Sequence, residues 1–135
     1  MWLFTTSGFF SAVTDKQDPQ QIQIRARSRK DLEAVVAITA RACMSKAKII
    51  ETPEADYRYR VVVHRTEFLT IMIELASEVT YQNFKDAATA AGQGDKPLMT
   101  VWSAMARYQD DKVREAEEKP KGRRKKSPGS FFEEF

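Results

Sequence analysis

The chain has one cysteine, Cys43, and one histidine, His64, with five glycines and five prolines among its 135 residues. A single cysteine excludes an internal disulfide framework and suits a reducing compartment. One cysteine and one histidine, distant in sequence, provide no ligand set at zinc spacing. A Cys–His nucleophilic pair would need the two to meet beside an orienting third group. Gly92-Gln93-Gly94 lacks the preceding strand and the later spacing of a phosphate-binding loop, and reads as a helix end and a loop. No stretch reaches the ~18 to 20 apolar residues that a membrane span needs. The apolar opening Met1-Trp2-Leu3-Phe4 is cut short by Thr5-Thr6-Ser7-Gly8 and has no basic segment of the signal-peptide kind. The expectation is a cytoplasmic protein with no membrane association, no cofactor, no metal and no catalytic residues.

What is present is ordinary for a globular domain: 42% hydrophobic and 30% charged residues. The net charge of +3 is unevenly placed. Lys119, Lys121, Arg123, Arg124, Lys125 and Lys126 supply six of the 22 basic residues, leaving 16 basic and 17 acidic side chains over residues 1–118, a net of −1. From Lys119 the composition shifts to Pro, Gly, Ser and basic residues, then to Ser130-Phe131-Phe132-Glu133-Glu134-Phe135. Such a segment has too little apolar surface to offset the entropy of ordering. The organisation predicted is one domain over residues 1–118 and a basic, then aromatic-acidic, tail over 119–135.

The longest patterned stretch is Asp56 to Val79. Tyr57, Tyr59, Val61 and Val63 alternate with Arg58, Arg60, Val62 and His64, as in a strand with one buried face. Thr66 can then cap a helix, Glu67 suits its first turn, and Phe68, Leu69, Met72, Ile73, Leu75, Ala76 and Val79 follow at helical spacing. This helix carries the most apolar surface and is expected at the centre of the core. Upstream, residues 2–5 and 9–14 are β-prone runs around Thr6-Ser7-Gly8, a tight hairpin. Ile22, Ile24 and Ala26 alternate with Gln23, Arg25 and Arg27 in a third strand. Ser28 and Asp31 predict a capping box for a helix that buries Leu32, Val35, Val36 and Ala42. Lys46 to Ile50 reads equally as more helix or as a short strand before Thr52-Pro53. Asn83 is expected to cap a short alanine-rich helix whose Phe84 enters the core. Leu98, Val101, Trp102, Met105 and Tyr108 give a last amphipathic helix with one side packed on the body. The fold class is therefore α+β, an antiparallel sheet with helices packed on one face; a ferredoxin-like sandwich is one arrangement compatible with this order.

Several blocks carry a resemblance: Met1-Trp2-Leu3-Phe4-Thr5, Gly8-Phe9-Phe10-Ser11, Thr52-Pro53-x-x-Asp56-Tyr57-x-Tyr59-Arg60 and Tyr81-x-Asn83-Phe84-Lys85-Asp86. Together with Val101-Trp102, they resemble a widespread family of small uncharacterised bacterial proteins over residues 1 to about 109. The resemblance implies a bacterial, cytoplasmic, compact domain and assigns no activity.

The second face of the sheet is the sharper feature. If Ile22, Ile24, Ala26, Tyr59, Val61 and Val63 meet the helices, then Arg25, Arg27, Arg58, Arg60 and His64 point away. Near Trp2, Phe4 or Phe10 such a row can hold single-stranded nucleic acid through phosphate contacts and stacking; it can equally be a solvated face or a homodimer surface. In the tail, Arg123, Arg124, Lys125 and Lys126 suit a phosphate backbone or an acidic protein, and Phe131, Phe132 and Phe135 are aromatic anchors for a groove. The expected function is non-enzymatic: a binding or adaptor protein that contacts a protein partner or a second copy through the sheet face and tail. The alternative is a nucleic-acid-binding protein that uses the same arginines. A third option, a small-molecule regulatory domain, requires a deep apolar pocket.

Overall fold

The period-2 stretches form one antiparallel sheet. The computed structural model describes residues 1–43, 46–94 and 96–118. In it, β1 (Trp2–Thr5), β2 (Gly8–Thr14) and β3 (Gln21–Ala26) are successive neighbours. Beyond β3 lie β5 (Tyr59–His64) and then β4 (Ile50–Glu51), giving the order β1-β2-β3-β5-β4. Every pairing is antiparallel. With α1 (Arg29–Ala42) and α2 (Arg65–Ser77) packed on the sheet, the architecture is the α+β class expected. In the ambiguous segment before Thr52, residues 46–49 form neither helix nor strand and lead into the two-residue β4. The chain groups into two compact units, Met1–Lys96 and Pro97–Phe135.

In the first unit the core is the alternate set of strand residues, Phe10, Ala12, Ile22, Ile24, Ala26, Val61 and Val63, against Leu32, Val35 and Ile38 of α1 and Ile71 and Leu75 of α2. Each Val, Leu, Ile or Phe side chain among them contributes roughly 1.5–3 kcal/mol when fully buried, so this shared cluster dominates the stability of the sheet–helix layer. α2 is not its centre. It buries only Ile71 and Leu75, while Leu69 and Ile73 stay exposed, because a helix that is apolar on more than one side can turn only one stripe toward a sheet. In α1, Leu32 and Val35 are buried as expected, Val36 is partly buried and Ala42 is exposed; Ile38 and Thr39 complete the stripe instead. Thr39 is fully buried and fully bonded, donating to the Val36 carbonyl at 2.8 Å and accepting from the Ala47 amide at 2.9 Å.

Local bonds set the element boundaries. The Thr5 hydroxyl accepts from the Ser7 and Gly8 amides, both at 3.1 Å, closing a turn whose flanking pair is Thr5 opposite Gly8. Gly8 has φ +151°, and a Cβ there would lie 2.5 Å from Cγ of Asp31. That close approach lets the Asp31 carboxylate accept from the Phe9 amide at 3.2 Å. The capping box expected of Ser28 and Asp31 is therefore absent: Ser28 caps α1 without a side-chain bond, and Asp31 ties the helix start to the hairpin. α2 is capped by His64, not Thr66. The strand runs straight into the helix, so the His64 Nδ1 accepts from the Thr66 amide at 3.2 Å while Glu67 accepts from the His64 amide at 3.3 Å. At α3 (Phe84–Ala90), Asn83 caps as expected, accepting from the Asp86 amide at 3.2 Å. Phe84 is half-buried against Tyr81, outside the core cluster.

The second unit is described through α4 (Lys96–Glu118). Val101, Trp102, Met105 and Tyr108 of this helix are exposed.

Candidate functional site

Strand residues that alternate with the core set form the other face of the sheet. They are Trp2 and Phe4 on β1, Phe9, Ser11 and Val13 on β2, Gln23 and Arg25 on β3, and Arg60 and Val62 on β5. None of them is in the core cluster. Cross-strand register aligns four of these residues and Ile50 of β4 in one row: Trp2 opposite Ser11, Ser11 opposite Arg25, Arg25 opposite Arg60, and Arg60 opposite Ile50, with Ser11 itself buried.

At the β1 end the face is aromatic. Phe4 stacks on Phe9 with centroids 4.5 Å apart and planes at 18°, and Trp2 meets Phe9 edge-on at 5.9 Å. Trp2 is 69% exposed. The sequence placed Phe10 beside the arginines, but Phe10 is wholly buried in the core. Phe9 takes its place, because pairing Thr5 with Gly8 aligns Phe4 with Phe9. That register follows from a two-residue turn at Thr6-Ser7, and this was the signal available in the sequence.

At the centre the face is basic. Arg25 and Arg60 stand directly opposite each other, although like charges so placed repel. Their side-chain bonds go to neutral groups. Arg25 donates to the Ser11 hydroxyl at 2.8 Å; Arg60 donates to Oε1 of Gln23 at 3.2 Å and to the Tyr57 carbonyl at 3.1 Å. The Nε of each is buried with no hydrogen-bond partner. Tyr57 leaves the strand period, which begins only at Tyr59. Its ring lies 4.6 Å from the Arg25 guanidinium and 4.3 Å from that of Arg27, and is almost wholly buried. It is the main contributor that periodicity hid, since alternation assigned it to the helix side.

The other predicted residues divide. Arg27 and Arg58 lie just outside β3 and β5 and already have carboxylates, Asp56 at 3.8 Å and Glu51 at 2.8 Å. The hydrogen bond and charge of Glu51 hold the Arg58 guanidinium more firmly protonated than usual. His64 is exposed and engaged as a cap. Arg123, Arg124, Lys125, Lys126, Phe131, Phe132 and Phe135 lie outside the described residues. At the edge of the face, the Asp15 carboxylate accepts from Gln23 at 2.7 Å and from the Gln17 amide at 3.0 Å, and these bonds hold it below the usual carboxylate range.

The remaining features offer little chemistry. Burial, aided by the Glu67 and Glu74 carboxylates, pushes the Cys43 thiol up, opposite to the shift a nucleophile needs. Among the described residues no group of three or more His, Cys, Asp or Glu is placed to hold a metal, and no helix is long and apolar enough to cross a membrane. A cleft of about 150 Å³ between Leu3–Thr6 and the end of α2 is smaller than a typical ligand pocket of about 300–1,000 Å³. The row therefore offers anion binding and aromatic stacking. No family model, curated protein or solved structure matches the chain.

Proposed function

We propose that this is a cytoplasmic, non-enzymatic binding protein whose sheet face opposite the core docks a polyanionic macromolecule. The observation that carries the reading is the Arg25–Arg60 pair: two half-buried arginines stand directly opposite in the register, and the hydrogen bonds of both go to neutral groups. A protein gains nothing in stability from setting two cations together without a carboxylate. An anion docked beside them would offset the repulsion. The basic run at Arg123–Lys126 would add a second contact of the same sign.

The test is the affinity of the full chain for three polyanions: a single-stranded oligonucleotide, an acidic polypeptide and a sulfated polysaccharide. At least one should bind, and Arg25→Glu with Arg60→Glu should weaken it at least tenfold, whereas Lys30→Glu at the exposed start of α1 should not. Binding to none, or binding indifferent to the arginine reversals, refutes the reading.

A further inference from the structure

We infer that the polyanion is a single-stranded nucleic acid, crossing the sheet from Trp2 to Arg25 and Arg60 with a base stacked on Trp2 and one phosphate contacted by each arginine. The inference rests on the binding reading above and adds the ligand's class and its path.

Neighbouring strands are about 4.8 Å apart, so Trp2 stands about 10 Å from Arg25 and about 14 Å from Arg60, backbone to backbone, along one line across the sheet. A ligand that uses the whole row must present a flat apolar group at one end and negative charge at the other, at short regular intervals. Single-stranded nucleic acid repeats that pairing in every nucleotide, and proteins that hold it combine basic tracks with exposed aromatic platforms. An acidic polypeptide satisfies the arginines and leaves the indole unused. A duplex keeps its base faces stacked inside and has none to offer Trp2.

Each end of the row is held in place. Phe9 is packed between its aromatic neighbours, stacked with Phe4 and edge-on to Trp2. Trp2 is thereby supported from below while most of its surface remains in solvent. At the other end, the Tyr57 ring fixes Arg25, and Gln23 and the Tyr57 carbonyl fix Arg60, so little side-chain entropy remains to be lost on binding. The Asp15 carboxylate, bonded to Gln23, lies near the row and bears the opposite sign; Arg25 and Arg60 outnumber it.

The experiment uses the full chain carrying Trp102→Phe, which leaves Trp2 as the only tryptophan. Decathymidylate or decauridylate should quench Trp2 fluorescence, whereas the matching duplex and polyglutamate should not. By anisotropy of a labelled strand, Trp2→Ala should weaken binding about 5- to 150-fold, the range that base–aromatic stacking supplies. Arg25→Gln with Arg60→Gln should make the slope of log affinity against log salt shallower by about 1.4, two phosphate contacts on a single strand. That difference is unaffected by whatever the basic tail contributes to both proteins. Polyglutamate binding that depends on the arginines and not on Trp2 overturns the inference and leaves the binding reading intact. Single-strand binding that ignores Trp2 also overturns the inference. Failure of every polyanion to bind removes both.

Discussion

Gly8→Ala tests the joint between the hairpin and α1. Two costs arise at this position. The first is conformational: at φ +151° an alanine occupies backbone space that only glycine enters easily, a strain of about 1–3 kcal/mol. The second is steric. The new Cβ would lie 2.5 Å from Cγ, 2.7 Å from Cβ and 2.8 Å from Oδ1 of Asp31, so the aspartate must move as a whole. Moving it breaks the carboxylate's bond from the Phe9 amide, worth about 1.5–3 kcal/mol as a hydrogen bond to a charged group. The two together predict a loss of about 2.5–6 kcal/mol, a large share of the 5–15 kcal/mol typical of a domain. Urea denaturation of the parent and variant measures it. Asp31→Gly removes all three crowding atoms, so Gly8→Ala in that background should cost only the backbone strain. A loss below about 0.5 kcal/mol in the parent background, the scale of an ordinary surface substitution, or an unchanged cost in the Asp31→Gly background, would refute the reasoning.

Three further outcomes follow from local chemistry. His64→Ala should destabilise the domain by about 1 kcal/mol through loss of the α2 cap, and His64→Asn should largely restore it; equal urea midpoints for parent and His64→Ala would contradict this. The Cys43 thiol, pushed up by burial and two carboxylates, should alkylate with iodoacetamide at pH 7.5 more slowly than glutathione and match it in urea; a rate equal to glutathione's in the folded protein would contradict this. Asp15 is held below its ordinary value by Gln23 first and then by the Gln17 amide. Its folded-state value lies below the unfolded value of about 3.9, so its stabilising contribution is present above that pH and is lost as pH falls through the folded value. Gln23→Ala should move the Asp15 carboxyl titration, followed by NMR, back upward; an unmoved titration would assign the shift to another cause.

Much of this arrangement was legible in the chain. Ile22, Ile24, Val61 and Val63 alternate cleanly, and period 2 assigns them to one face wherever the backbone stays extended. The same rule puts Arg25 and Arg60 on the opposite face. It fails at Tyr57, where the chain bends before β5 begins and the ring swings over the arginines. It also failed at Phe9 and Phe10, two adjacent aromatics whose faces depend on a turn one residue shorter than the hairpin predicted. Cap positions were hidden for a different reason. Asp31 and Thr66 both have side chains suited to capping, but tertiary contacts decided the outcome. Asp31 was drawn to the Phe9 amide across Gly8, and His64 caps the start of α2 because no residue separates β5 from that helix. The pairing of Arg25 with Arg60 could not be read from spacing at all, since it is fixed by the strand order β3-β5, which skips β4.

The central claim is that the sheet face bearing Trp2, Arg25 and Arg60 is the binding surface. Amide NMR of the full chain, titrated with decathymidylate, tests it most directly. The account predicts shift changes concentrated at Trp2, Phe9, Ser11, Arg25, Arg60 and Val62, with the α1 and α2 amides largely still. Changes confined to the helices, or to residues beyond Glu118 with the face unmoved, would contradict it.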